Sequence, residues 1–293
     1  LGLGLELLLG LLLGLLLGGI IDYYIPREYI SKFLATHKKK SIFYAVLFGF
    51  LMSACSHGIL AIAIQLYKKG ASVPSVIAFL LASPWANLPI TILLFGFFGF
   101  KALIFVVSAI IIAIITGTIY LLLDKNRMIE KNPHSVKVGK GFSIRKDIRK
   151  RLKNYHFGRK DIVGVLEGTF SLSRMVLWWI LVGVIVASFA ATYVPHHLFM
   201  KYLGPSLLGL VITLVFATII EVCSEGSSVL SFEIFKQTGA FGNSFTFLMA
   251  GVATDYTEIG LIWSNIGKKA AIWLPIITVP QILVLGYLFN ILL

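Results

Sequence analysis

Two short tetrads carry matching chemistry. Cys55-Ser56-His57-Gly58 recurs 168 residues later as Cys223-Ser224-Glu225-Gly226, and these hold the only two cysteines of the 293-residue chain. Each tetrad brings a thiol, a hydroxyl, an ionisable group and a glycine into a hydrophobic run, at a depth where polar groups are costly. Thiolates favour soft metals and metalloids, whereas a lone buried cysteine acts as a small hydrophobe. Three roles are open to His57: soft-metal ligand, proton acceptor, or polar residue satisfied by its neighbours. The cysteine spacing matches no zinc motif, and two cysteines make no disulfide framework.

Carboxylates add a second chemistry. Glu221, Glu225, Asp255 and Glu258 lie in apolar segments of the second half, where the first half has Ser53, His57, Asn87 and Ile90. Spacings of four (Glu221, Glu225) and three (Asp255, Glu258) place each pair on one helix face. Clustered carboxylates repel as anions and take up protons more readily, which suits a proton-coupled carrier. The alternative is a structural bridge to Lys236 or Lys269. The expected transport residues are Cys55, Ser56, His57, Ser83, Asn87, Cys223, Ser224, Glu225, Thr254 and Asp255, with Glu221, Glu225, Asp255 and Glu258 as proton-coupling candidates. Gly58, Pro84, Gly226 and Gly251 are the expected helix breaks, since glycine loosens the backbone and proline lacks a donor. The chain has no His-Glu-x-x-His, Gly-x-Ser-x-Gly or Walker A sequence, so neither an enzyme nor a cofactor is expected.

The elements that position these groups are membrane segments. The chain is 58% hydrophobic and 13% charged, with a mean hydropathy of +0.90, outside the range of soluble domains. Apolar stretches at 1–21, 41–67, 74–98, 101–123, 171–194, 205–235, 243–264 and 270–293 approach or exceed the roughly 20 residues that span a bilayer core. An all-α integral membrane protein of about eight transmembrane segments follows. Residues 1–21 lack the basic n-region and cleavage site of a signal peptide and carry Gly10, Gly14 and Gly18 at small-xxx-small spacing.

Shifting the chain by 168 residues aligns Cys55, Ser56, Gly58, Lys68, Phe79, Gly99, Lys101 and Ala102 with identical residues at 223, 224, 226, 236, 247, 267, 269 and 270. Apolar composition alone does not place Cys, Ser, Gly and Lys in one frame, so the chain reads as two homologous repeats. The repeats are 1–123 and 169–293, joined by a loop over 124–168. Two topologies remain open. Four full crossings per half give parallel repeats and place Lys38, Lys39 and Lys40 opposite the loop. A re-entrant hairpin broken at Cys-Ser-x-Gly gives inverted repeats; arms over 41–54 and 58–67 would be about 15–20 Å long, enough to reach a midplane. Residues 124–161 hold 13 of the 26 Lys and Arg and four acids. Between membrane spans this reads as a cytoplasmic loop under the positive-inside rule, with 145–160 either lying on anionic lipid or forming a solvated linker.

Cys55-Ser56-His57-Gly58, Lys68-Lys69-Gly70-Ala71-Ser72 and Ala78-Phe79-Leu80-Leu81-Ala82-Ser83-Pro84 together resemble the ArsP-like predicted permeases. Their pattern runs roughly Cys-Ser-Cys-Gly, a Lys-Lys-Gly-Ala-Ser-like turn, then Phe-Leu-x-Ala-Ser/Thr-Pro. The resemblance implies a membrane permease of about eight helices, and characterised relatives are implicated in organoarsenical efflux with cysteines in substrate binding. Here His57 and Glu225 stand where the pattern has its second cysteine, so paired adjacent thiols are absent. The expected function is a secondary transporter, of efflux type, for a small solute such as a metalloid or organoarsenical. The alternative is a membrane subunit that holds a partner through the basic loop. Expected partners are membrane lipid and the solute, with a homo-oligomer or partner subunit left open and nucleic acid not expected.

Overall fold

A computed structural model describes residues 12, 15–17, 19–21, 23–24, 32–36, 38–51, 56–86, 88–135, 158–171, 173–174, 202–220 and 224–293. Helices and turns make up the described residues, with no strand among them. The first half contributes α1 (Lys39–Leu51), α2 (Ser56–Lys68), α3 (Val73–Ala82), a 3-10 turn (Ser83–Ala86), α4 (Leu88–Phe98) and α5 (Ala102–Lys125). The second half contributes α6 (Leu207–Ile220), α7 (Ser224–Thr238), α8 (Phe241–Thr254), α9 (Tyr256–Asn265) and α10 (Lys268–Leu292). Helices α1 and α6 begin 168 residues apart, at 39/207, as do α3 and α8, at 73/241; α2 and α7 are described from 56 and 224, α4 from 88 and α9 from 256, and α5 and α10 begin at 102 and 268.

Local chemistry explains the boundaries. Gly70, at φ 101°, ends α2; its N–H donates to Tyr67 O and that of Ala71 to Leu66 O, the Schellman pattern that needs a left-handed residue. Gly239, at φ 66°, makes the corresponding turn between α7 and α8. Pro74 sits in the first turn of α3, where its missing N–H costs nothing. Pro84 then tightens the end of α3 into the 3-10 turn.

Packing fixes direction. Ser41 Oγ meets Ser75 Oγ at 2.6 Å, and Ser83 Oγ donates to Gly49 O at 2.6 Å, so α1 and α3 run parallel. Because α2 turns directly into α3 and packs against it, α2 runs antiparallel to α1, and the start of α1 and the end of α2 lie at the same end of the bundle. In the second half α6 parallels α8 through Asn243–Thr213 at 3.0 Å and Thr218–Thr254 at 2.6 Å. There α7 returns against α8 through reciprocal Ser231–Ser244 bonds of 3.0 and 2.7 Å.

The long helices α5 and α10 run antiparallel to each other. Lys101 Nζ reaches Leu293 O at 3.4 Å, Gln281 Nε2 donates to Thr116 Oγ1 at 3.0 Å, and Tyr120 Oη donates to Ala270 O at 2.6 Å. Only these regions, Leu94–Lys125 and Lys268–Leu292, are long and apolar enough among the described residues to cross a membrane unaided. One end of the bundle is basic: it holds the starts of α1, α3 and α10, the ends of α2 and α5, and Lys38, Lys39, Lys40, Lys125, Arg127, Lys131 and Lys269. Lys101 and Lys236 lie at the opposite end, near Phe98, Phe235 and Phe241.

The two ends are fastened differently. At the basic end Tyr67 Oη donates to Ile266 O at 3.1 Å, and Glu130 accepts from the N–H groups of Lys269 and Ala270 at 2.9 and 3.2 Å. Asn132 Nδ2 donates to Tyr67 O and Ala71 O, each at 2.6 Å. At the opposite end the halves meet through aromatics, with Phe97 stacked on Phe232 at 4.5 Å and Phe98 against Phe235 at 5.5 Å. Adding 168 to Tyr67 gives Phe235, and subtracting 168 from Ile266 gives Phe98. The Tyr67–Ile266 and Phe98–Phe235 contacts are therefore one pair with the halves exchanged. Tyr120 is fully buried. Tyr120→Phe is expected to lower stability by about 1 kcal/mol through loss of the bond to Ala270 O, measured as a lower melting temperature in detergent.

Candidate functional site

Two described helix interruptions fall at positions that carry the polar motifs, the 3-10 turn over Ser83–Ala86 and Asp255 between α8 and α9; α1 is described to Leu51, α2 from Ser56, α6 to Ile220 and α7 from Ser224. Cys55, Asn87, Glu221 and Cys223 lie outside the described residues, as do the side chains of Ser56, His57, Ser224 and Glu225. Gly58 and Gly226 are helical, inside the first turns of α2 and α7. Gly251 is also helical, because α8 runs on to Thr254 and the interruption comes at Asp255.

In the first half Ser83 is buried and its hydroxyl ties the end of α3 to Gly49 O near the end of α1. There is no room for a side chain at Gly49, where a Cβ would lie 2.5 Å from Phe79 O. Pro84 is buried beside Ser83. Trp85, absent from the expected site residues, is 2% exposed and its Nε1 has no hydrogen-bond partner among the described residues. A buried indole N–H normally finds an acceptor, so Trp85 offers this interruption a donor. The signal was present in Ser-Pro-Trp-Ala-Asn, but its second-half counterpart is Ala253, so repeat matching passes over it.

In the second half the polar groups gather around Asp255. Thr254 Oγ1 donates to Ala250 O at 2.7 Å and shares a 2.6 Å hydrogen bond with Thr218 Oγ1 on α6. Asp255 is 4% exposed and caps α9, accepting from Thr257 N at 2.9 Å and Thr257 Oγ1 at 2.8 Å. Glu258 is buried in the first turn of α9, where the positive end of the helix dipole favours an acid. Thr218 also escaped the sequence reading, since its counterpart is Phe50.

The interruptions share a level in the bundle. Helices α2 and α9 pack together and both run toward the basic end, where Tyr67 meets Ile266. Helices climb at a common rise per residue, so stepping back equally along each puts the backbone of Ser56 level with Asp255. Likewise α4 packs on α7, and the Phe97–Phe232 and Phe98–Phe235 contacts put Leu88 level with Ser224. The first described residue of α2 thus stands level with Asp255, and that of α7 level with the first described residue of α4. Among the described residues no cluster of three or more His, Cys, Asp or Glu could hold a metal ion.

The model of the ArsP_1 family, a predicted permease, matches residues 1–291. No curated protein and no solved structure matches the chain.

Proposed function

This chain belongs to the ArsP_1 predicted permease family, and from that premise we propose that it is a secondary transporter moving a small solute through a polar site between two inverted repeats. The observation that carries the reading is the level at which Ser56 on α2 stands beside the Asp255 interruption and Ser224 on α7 beside the first residues of α4, just past the 83–86 turn. Non-helical backbone at membrane depth is tolerated only against protein or a water-filled cavity, and matched interruptions in two repeats are where transporters place substrate.

In this reading α1–α2 is a re-entrant hairpin entering from the basic end and α6–α7 one entering from the opposite end. Helices α3–α4 and α8–α9 are interrupted crossings, and α5 and α10 are full ones. Antiparallel α5 and α10, and the exchanged contacts at Tyr67–Ile266 and Phe98–Phe235, support inversion over parallel repeats. Each hairpin arm of about 20 Å is short of a crossing of about 30 Å. The basic end, with the 124–168 loop, is cytoplasmic by the positive-inside rule. Cys55 and Cys223, next in sequence to the first residues of α2 and α7, supply soft donors, Trp85 a hydrogen-bond donor, and Asp255 with its neighbouring acids the proton-binding group. Efflux of a metalloid or organoarsenical fits this donor set.

Reconstitution tests the reading. Purified protein in proteoliposomes is expected to show saturable flux of a member of a metalloid and organoarsenical panel under an imposed pH gradient. Deleting 135–155 should leave that flux in place. In a Cys55→Ser/Cys223→Ser background, single cysteines at Lys40 and Lys131 should be labelled from one side of the membrane and a cysteine at Lys236 from the other. Labelling of Lys40 and Lys236 from the same side would overturn inversion. Loss of a co-purifying partner on the deletion, with no flux across the panel, would favour a membrane subunit instead.

A further inference from the structure

A cavity of about 360 Å³ opens at the basic end between the start of α1 and the end of α5. Its rim carries Lys39 from α1, Lys125 from the last turn of α5 and Lys131 from the following loop, and all three are exposed. Its wall includes Leu121 and Leu122, and among the described residues its one acid is the buried Asp124. The cationic groups thus outnumber the acid, and they come from three separate elements. The start of α1 adds the positive end of a helix dipole, with no acid in its first turn to offset it. Glu130 lines an adjoining cavity of about 130 Å³, but its carboxylate is taken up by the N–H groups of Lys269 and Ala270.

The apolar surface leading to this rim indicates what kind of anion fits. Val107, Ile111, Ile114, Ile115 and Leu122 on α5 are all exposed, from 37% to 58%. Their spacing of three, four and seven residues keeps them on one helix face, so an apolar stripe runs from the middle of α5 up to the lysines. A free phosphate would use the rim alone, whereas a phospholipid would use rim and stripe together.

We propose that this cavity binds one anionic phospholipid, its phosphate between Lys39, Lys125 and Lys131 and its acyl chains along the exposed stripe of α5. The lipid would tie the first hairpin to the long helix behind it. The proposal rests on the membrane reading of the chain and is independent of what the chain transports.

The test uses the full chain in a neutral detergent, with binding followed by native mass spectrometry and thermal melting. Wild type should retain phosphatidylglycerol and melt higher with it, with little response to phosphatidylcholine or inorganic phosphate. Juxtamembrane lysines each add substantially to anionic-lipid attraction, so Lys39→Gln/Lys125→Gln/Lys131→Gln should bind phosphatidylglycerol about a hundredfold more weakly. A control, Lys40→Gln/Lys268→Gln/Lys269→Gln, removes the same charge from the same end and should bind within about threefold of wild type. Lys39→Arg/Lys125→Arg/Lys131→Arg keeps the charges and should retain the lipid. Equal losses in the two glutamine triples would reduce the effect to general surface charge and overturn the site. Equal protection by inorganic phosphate would make it a free-anion site and overturn the lipid assignment. Neither result touches the flux test, so failure here is separable from failure of the transport reading.

Discussion

Asp255→Asn is expected to lower proton-driven solute flux by at least about tenfold, equivalent to about 1.4 kcal/mol on the transport barrier, while leaving the fold as stable as wild type or more so. The two effects separate because Asp255 does two things. Its carboxylate caps α9, accepting from Thr257 N and Thr257 Oγ1, and asparagine performs that cap about equally well. What asparagine removes is the ionisable group. A carboxylate at this depth carries a penalty of a few kcal/mol as an anion, so its neutral amide relieves the fold. Asp255→Ala removes cap and charge together and should cost about 1 kcal/mol of stability beyond the asparagine variant. The measurement is initial flux in proteoliposomes under an imposed pH gradient, with detergent melting run on the same preparations. Equal flux in wild type and Asp255→Asn would remove Asp255 from the coupling role and leave it as a helix cap.

The offset of 168 read from matched Cys, Ser, Gly and Lys residues also separates the starts of α1 and α6 and of α3 and α8 in the structure. That much was legible because cysteine, lysine and glycine matches are rare by chance in an apolar chain. Helix over 41–54 and 58–67 was also within reach, against the described helices Lys39–Leu51 and Ser56–Lys68. The relative direction of the halves was not. Periodicity and matched identities are the same whichever way the helices run, and it is tertiary contacts such as Tyr120–Ala270 that set α5 antiparallel to α10. Gly58, Gly226 and Gly251 were expected to break helices, yet all three are helical. Inside a membrane bundle the helix keeps its own backbone bonds, since no water replaces them, and small residues serve close packing instead. Trp85 and Thr218 were missed for a different reason. Each faces an apolar counterpart, Ala253 and Phe50, so the repeat gives no signal at either position.

That packing role gives the largest expected loss of stability, at Gly242. A Cβ built there would lie 1.8 Å from Gly286 O and 2.7 Å from Asn290 Oδ1. The first obstacle is backbone of α10, which cannot yield without moving the helix. Gly286 answers with its own close approach: a Cβ there would lie 2.2 Å from Thr246 Oγ1 and 3.1 Å from Gly242 O. Gly242 and Thr246 on α8 thus face Gly286 and Asn290 on α10 in small-xxx-small spacing. Separating the helices would also break Gly242 N to Asn290 Oδ1 at 2.7 Å and Asn290 Nδ2 to Asn243 Oδ1 at 2.7 Å. The same Asn243 holds Leu203 O, Gly204 O and Thr213 Oγ1, so the damage would spread to α6. Gly242→Val is therefore expected to cost at least about 4 kcal/mol, the range reached by overpacking combined with a broken buried network. Fluorescence-detected gel filtration should show little monodisperse protein. Gly117 makes the corresponding contact in the first half, but a Cβ there meets the side-chain methyls of Ala78 and Ile42, each at 2.8 Å. Side chains can give way, so Gly117→Ala should cost only about 1–3 kcal/mol. Gly96 on α4 has nothing within 4 Å of its Cβ position, and Gly96→Val should stay within about 0.5 kcal/mol of wild type. If Gly242→Val and Gly96→Val gave the same yield and melting temperature, the close approach of α8 and α10 would be wrong, and so would the framework that holds Asp255 at the end of α8.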